Sequence, residues 1–195
     1  MLNKLKKKLY YKFLSIFKPE MIGNPKRLRG NLGNKVGISN TTHISNRGEN
    51  LKVGNNVFIG HFNYIDAFNA SLTIGNNVQI TNYCNILTHS THNAIRFPNM
   101  DLKSQKCRGT VENIGSIIIK DYTYIGPHSV IMPGTSLGKG CIVAAYSYVK
   151  GEFPDFCILR GQPAKIVGTT KDIDQELIKN FPELNDIHFF TQNAS

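Results

Sequence analysis

From Ile119 to Val149 an aliphatic residue returns at every sixth position: Ile119, Ile125, Ile131, Leu137, Val143 and Val149. A helix brings its inward side chains back about every 3.6 residues and a strand every two, so a strict period of six fits neither alone. It requires short flat segments separated by turns, each tucking one aliphatic side chain inward. Three such segments close a triangular coil, and repeats of this length mark parallel β-helices. Gly126, Pro133, Gly134, Gly138, Gly140 and Gly151 fall where the corners need backbone freedom or a fixed φ.

The same period runs upstream, through Leu32, Ile38 and Ile44, then Val53, Ile59 and Ile65, then Ile74, Ile80 and Ile86. Each triplet begins 21 residues after the one before, three hexads plus three residues taken up at a corner. The near-identity of VGNNVFI (Val53 to Ile59) and IGNNVQI (Ile74 to Ile80) supports that register. From Ile74 to Ile119 the step is 45 residues, so twenty-odd residues leave the solenoid after Ile86. This external loop, about residues 88–115, contains His89, His92, Arg96, Pro98, Gly109 and a basic run around Lys103 to Arg108. Long loops on rigid scaffolds are where binding and catalytic residues concentrate.

A chain of 195 residues with 41% hydrophobic content is long enough for one domain with a continuous core. Cys84, Cys107, Cys141 and Cys157 form no C-x-x-C pair, which argues against a zinc ribbon or a redox motif; small reduced core or corner thiols in a cytosolic setting fit them. The net charge of +10 is unevenly spread. Residues 1–30 hold nine Lys and Arg against one acid, and residues 31–195 hold 14 against 12. A basic surface for nucleic acid along the coils is therefore not expected.

Met1 to Lys18 reads as an amphipathic helix, with Leu2, Leu5, Leu9, Phe13, Ile16 and Phe17 at spacings of three and four and lysines between them. Such a helix can lie on anionic lipid or cap the open end of the solenoid. Pro19 and Pro25 are expected to end it. The domain division is then a basic helix and linker over 1–30, the solenoid over 31–168, and a C-terminal helix and tail over 169–195. After Val149 the chain is expected to leave the coil, and Asp172 to Asn180 to form a helix with Asp172 or Thr170 as N-cap.

The segments IIIKDYTYIG, SVIMPGTSLGKGCIVAAYSYVK and RGQPAKIVG, together with the upstream hexads, resemble the hexapeptide-repeat O-acetyltransferases. That family includes the galactoside and maltose acetyltransferases and many capsule and lipopolysaccharide O-acetyltransferases. The resemblance implies an all-β solenoid, a left-handed parallel β-helix of about five coils. It also implies acetyl-CoA as co-substrate, a homotrimer, and transfer to a hydroxyl of a sugar in a surface polysaccharide, glycolipid or lipid-linked precursor. The stretch LTHSTHNAIR is similar to the family's loop motif. It implies His89 as the catalytic base, with His92 as its rival, and Asn85 and Arg96 at the acceptor. A neutral imidazole can take the proton of an attacking hydroxyl, which is otherwise a poor nucleophile at neutral pH.

For the pantetheine arm and nucleotide the resemblance implies Tyr124, Gly126, Ala144, Ala145, Lys150 and Lys165. Tyr146 stands where a glycine is usual and Pro127 where Ser or Ala is usual. His43, His61 and His128 read as surface residues. Two other functions are weighed beside the transferase: a non-catalytic hexapeptide scaffold, and a zinc enzyme like the γ-class carbonic anhydrases, whose site is built from histidines of neighbouring subunits. No metal is expected. The location expected is the cytoplasm, with peripheral contact on the cytoplasmic face of the inner membrane through the N-terminal helix.

Overall fold

The computed structural model describes residues 2–16, 18–23, 31–46, 50–97 and 113–187. Pro25, Pro98, the Lys103 to Arg108 run with Cys107, and Gly109 lie outside the described residues. The chain winds into a left-handed parallel β-helix with three flat faces. The first face stacks Gly37–Ser39, Phe58–Ile59, Gln79–Ile80, Tyr124–Ile125, Ile142–Val143 and Cys157–Gly161 in parallel register. The second stacks His43–Asn46, Tyr64–Ala67, Asn85–Ile86, Val130–Ile131 and Tyr148–Val149. The third stacks Asn31–Leu32, Leu51–Val53, Leu72–Ile74, Ile117–Ile119, Ser136–Leu137 and Glu152–Phe153. Five full coils and two strands of a sixth result.

The hexad aliphatics point inward and form one continuous buried column on each face, as their period requires. Two residues ahead of each aliphatic sits a second inward position, which on the third face takes Leu51, Leu72 and Ile117 and ahead of the other two faces takes smaller side chains. On the first face it holds Val36, Val57, Val78, Thr123, Cys141 and Cys157, and ahead of the second face Thr42, Asn63, Cys84, Ser129 and Ser147, all buried. The polar members are satisfied by the corners they support. Thr42 Oγ1 donates to Gly60 O at 2.6 Å, Asn63 Nδ2 donates to Thr81 O at 2.8 Å, and Ser147 Oγ donates to Ala144 O at 2.7 Å. The described cysteines are thus free, buried packing residues.

The G-N-N repeat has a distinct cause for each residue. A Cβ on Gly54 would sit 2.6 Å from the carbonyl of Gly75 in the next coil, so only glycine fits. The following asparagine accepts from the coil before it: Asn55 Oδ1 from Asn34 N at 2.8 Å and Asn76 Oδ1 from Asn55 N at 2.8 Å. Asp121 Oδ1 then accepts from Asn76 N at 2.7 Å and continues the ladder. The second asparagine turns the corner at positive φ, +55° in both Asn56 and Asn77.

Two expectations need correction. The chain does not leave the coil after Val149: Glu152–Phe153 and Cys157–Gly161 add two parallel strands, with Leu159 buried in the core. The inward residue after Val149 is Phe153, four positions on rather than six, because Gly151 at φ +121° makes a shorter corner. The exit follows Gly161, where Ala164–Thr169 folds back antiparallel on Cys157–Gly161. The C-terminal helix spans Thr170–Asn180, and its N-cap is Thr169, whose side chain accepts from Lys171 N.

At the opposite end, Met21–Ile22 pairs antiparallel with Ile38 and Ser39 and closes the first face. The N-terminal helix spans Leu2–Ile16, and its side chains from Lys4 to Lys12 are exposed. Among the described residues no helix is long and apolar enough to cross a membrane.

Replacing Gly54 by Ala should lower unfolding free energy by about 1–3 kcal/mol, the usual cost of forcing atoms into a packed site. The same change at Gly23, whose Cβ would meet nothing within 4 Å, should be close to neutral. Urea midpoints of the two variants compare them directly. Equal midpoints would mean that the coils do not approach as closely as described.

Candidate active site

The external loop leaves the solenoid at the end of the second face. His89–Ser90 pairs antiparallel with Asn113–Ile114, so the two ends of the excursion are clamped together at its base. One coil below lies Tyr64–Ala67. Ile65 and Ala67 of this strand belong to the core, so by strand alternation Tyr64 and Asp66 project outward. Asp66 is nevertheless fully buried, because the start of the loop folds over it.

Its carboxylate is held from several sides. Oδ2 accepts from Thr88 Oγ1 at 2.7 Å, from Thr88 N at 3.2 Å and from His89 Nδ1 at 2.7 Å, while Oδ1 accepts from Phe68 N at 3.0 Å. Burial by itself would raise the Asp66 pKa. The hydrogen bonds from Thr88, His89 and the Phe68 amide, with the attraction of His89, outweigh it and hold the carboxyl below its ordinary value of 3.8. Asp66 is therefore ionised at neutral pH and acts only as an acceptor. His89 donates from Nδ1 to this carboxylate, so in the neutral imidazole the lone pair is on Nε2, on a side chain 31% exposed.

His92 differs in every respect that matters to a base. It is exposed, and its Nδ1 is 2.8 Å from Ser90 Oγ rather than beside a carboxylate. Arg96 ends the short 3-10 turn Ala94–Arg96 and donates from Nη2 to Asn93 Oδ1 at 2.7 Å. Asn85 is exposed on the second face, in register with Tyr64.

The residues expected at the cofactor separate into groups. Gly126 and the pair Ala144 and Ala145 meet on successive coils at the corner between the first and second faces. A Cβ on Gly126 would lie 2.6 Å from Ala145 N, so backbone stacking alone already demands glycine there. Tyr124 stands two residues earlier on the first face, and Lys165 pairs with Arg160 on the terminal strands of that same sheet. Lys150, also exposed, follows the second-face strand at the far corner. His89 lies across the full width of the second face from Gly126, Ala144 and Ala145. Among the described residues no group of three or more His, Cys, Asp or Glu could hold a metal ion.

Among the described residues the thiols offer no alternative nucleophile. Burial raises the pKa of Cys84, and burial together with Cys141, whose Sγ is 3.4 Å away, pushes Cys157 up to about 12.

Residues 116–151 match the family model "Bacterial transferase hexapeptide (six repeats)". The match falls wholly within the repeat and covers 36 of the 195 residues. In sequence the chain is similar to YvoF of Bacillus subtilis, 33% identical over 67 residues, which are 34% of this chain and 39% of YvoF. It is also similar to 2,3,4,5-tetrahydropyridine-2,6-dicarboxylate N-acetyltransferase of Staphylococcus aureus, 36% identical over 73 residues, 36% of this chain and 30% of that enzyme. The matched segments thus span only about a third of these relatives. Among solved structures, the hexapeptide-repeat acetyltransferase VCA0836 of Vibrio cholerae superposes with a TM-score of 0.58 at 26% identity, over 71% of this chain and 73% of that one. AntD, an N-acyltransferase of Bacillus cereus solved with dTDP and coenzyme A, shares the fold with a TM-score of 0.57 at 19% identity, over 84% of this chain and 100% of its own.

The Asp66 and His89 pair was invisible in the hexad pattern, although a signal existed. With a 21-residue coil, Asp66 falls one coil beneath Leu87, directly under the point where the loop departs. Replacing Asp66 by Asn should cost about 1–3 kcal/mol at neutral pH, since charge-assisted hydrogen bonds are lost. A carboxyl whose folded pKa is depressed stabilises the fold above its unfolded value and loses that contribution as pH falls through the folded one. The stability gap between wild type and Asp66→Asn should therefore hold from about pH 7 to 5 and narrow below about pH 4. Urea midpoints across that range measure it. A gap that persists undiminished at the acid end would rule out the ionised carboxylate as its source.

Proposed function

We propose that this chain is an acetyl-CoA-dependent acyltransferase that acetylates a hydroxyl of a sugar in a surface polysaccharide, glycolipid or lipid-linked precursor. The observation that carries the reading is the Asp66 and His89 pair at the mouth of the loop, on a scaffold whose relatives are acetyltransferases. His89 Nε2 accepts the proton of the acceptor hydroxyl as it attacks, while Asp66 fixes the tautomer and stabilises the imidazolium that forms. Acetyl-CoA supplies the activated acyl group, its C–S bond breaks and the departing thiolate takes the proton from the His89 imidazolium; transfer is direct, since the described cysteines are buried and poorly ionised. Gly126, Ala144 and Ala145 offer a corner free of bulky side chains for the pantetheine arm, with Tyr124 beside it. Lys150 and Lys165 provide exposed cations for the phosphates. Asn85 and Arg96 lie on the acceptor side.

The presence of a base supports the reading of an oxygen acceptor. An amine bound as the free base attacks without prior deprotonation, whereas a hydroxyl needs a base such as His89. His89→Ala should lower acceptor-dependent CoA release by about 10²–10⁴-fold, and His92→Ala by far less. Loss at His92 instead would reverse the assignment. No loss at either would favour a scaffold without catalysis.

A homotrimer belongs to the same reading. Within one copy His89 and the Gly126, Ala144 and Ala145 corner lie on opposite edges of the second face, so a neighbouring copy is needed to bring base and cofactor together. So does membrane contact. Lys4, Lys6, Lys7, Lys8 and Lys12 are exposed on a helix without an acid, beside Leu5 at 61% and Leu9 at 65% exposure. Basic residues near an anionic surface are worth about 1 kcal/mol each. Light scattering should give a trimer for the full chain and for a chain beginning at Pro19, which keeps the Met21–Ile22 strand. Only the full chain should sediment with anionic liposomes and be released by salt. A monomer in solution would remove the shared site, and equal sedimentation of both chains would remove the helix as the membrane contact.

A further inference from the structure

We propose that the second face carries a row of acceptor contacts, Asn85, Tyr64 and His43, running from the His89 site toward the N-terminal coil. The acceptor is accordingly a glycan of several sugar units rather than a single sugar. This rests on the transferase reading above and adds to it the length of the acceptor and the direction in which it lies.

The row follows from register. His43 pairs with Tyr64 and Tyr64 with Asn85 on three successive coils, at the outward position of each strand. Tyr64 and Asp66 are two residues apart on one strand, so the Tyr64 ring stands on the same outer side as the carboxylate that holds His89. The imidazole of His43 stacks on the Tyr64 ring at 5.2 Å and 14°. All three side chains are exposed, Tyr64 by 40%.

Their polar ends have no partner among the described residues. The Tyr64 hydroxyl, the Asn85 amide and the His43 ring nitrogens make no hydrogen bond to another described residue. The neighbouring polar groups, in contrast, are engaged: those of Thr88, Asp66 and Ser90 all have partners. A phenol, an amide and an imidazole, with aromatic edges between them, suit a ligand that alternates hydroxyls with C–H surface. A glycan does so at every unit. The coils repeat about every 4.8 Å, close to the advance of one sugar along an extended chain. The row has one direction only, because the next residue in register above Asn85 is Val130, which offers no hydrogen bond. Below His43 lies the end of the solenoid that bears the basic helix.

The test uses the full-length protein and p-nitrophenyl glycosides of one, two and three glucose, galactose or N-acetylglucosamine units. For at least one sugar, kcat/KM should rise about tenfold or more from one unit to three, the yield of one or two added hydrogen bonds. Tyr64→Ala should abolish that advantage through the KM for the glycan, and Tyr64→Phe should reveal the share of the hydroxyl. Tyr148→Ala, on the same face but beyond Val130, should retain the advantage. Acetyl-CoA affinity, measured separately by calorimetry, reports on the transferase reading itself. Equal use, or non-use, of all lengths by a protein that binds acetyl-CoA overturns the row alone. A change of trimer mass in Tyr64→Ala would make this surface a contact between copies and also overturn it.

Discussion

Each coil of this protein is held by the backbone of the next, and the close approach that this pairing demands governs every other feature. Residue positions repeat at nearly the inter-strand distance, so a side chain always meets its own counterpart one coil away. The choice at each position is then narrow: an aliphatic for the inward column, a smaller residue ahead of it on two of the faces, a glycine where backbones touch, or a group that stacks. Phe62, Tyr83, His128 and Tyr146 show the last case. All four sit at positive φ, between +57° and +60°, and their rings stack at 5.2, 4.8 and 4.7 Å with interplanar angles of 14°, 4° and 2°. A left-handed conformation is unfavourable for such residues, and ring stacking is what offsets it here. Tyr146 in place of a glycine is therefore the top of a ladder and not an isolated departure.

The same register creates the site. An outward carboxylate on a β-helix face would ordinarily be solvated, and Asp66 is buried only because the loop begins one coil above it and turns back across it. Its hydrogen bonds come from residues 68, 88 and 89, so they exist only when two coils and the loop base are in place together. Removing a buried charge from water is tolerated here because donors surround it. His89 is oriented by a group that is itself immobilised, whereas His92, two residues into the loop, has only a serine hydroxyl. That contrast follows from distance along the loop and not from residue type.

The solenoid was legible because its period is a local property. Each aliphatic column could be counted from one-dimensional spacing, and every hexad residue from Ile38 to Val149 occupies the inward position its count implies. The sixth coil was not legible, because a four-residue step through Gly151 breaks the count while the packing of Phe153 and Leu159 continues it. The helix begins at Thr170 rather than Asp172 and its N-cap is Thr169 rather than Asp172 or Thr170, for a similar reason: Thr170 is buried and donates to Gly140 O at 2.9 Å, so it serves the solenoid and not the cap. Asp66 was missed for a different reason. Its partners on the loop, Thr88 and His89, lie more than twenty residues away, and a single aspartate after an isoleucine carries no pattern of its own.

The two ends of the solenoid complete the physical account. A parallel stack leaves an open edge at each end, with unpaired N–H and C=O groups that would template further coils. On the first face both edges are covered by antiparallel strands, Met21–Ile22 at one end and Ala164–Thr169 at the other. At the first end the cover is tightened by Asn40, which donates from Nδ2 to Lys18 O at 3.0 Å and accepts from Glu20 N at 3.0 Å. The segment that closes this edge thus begins immediately after the amphipathic helix. The described side chains of that helix, Lys4 to Lys12 with Leu5 and Leu9 among them, are exposed.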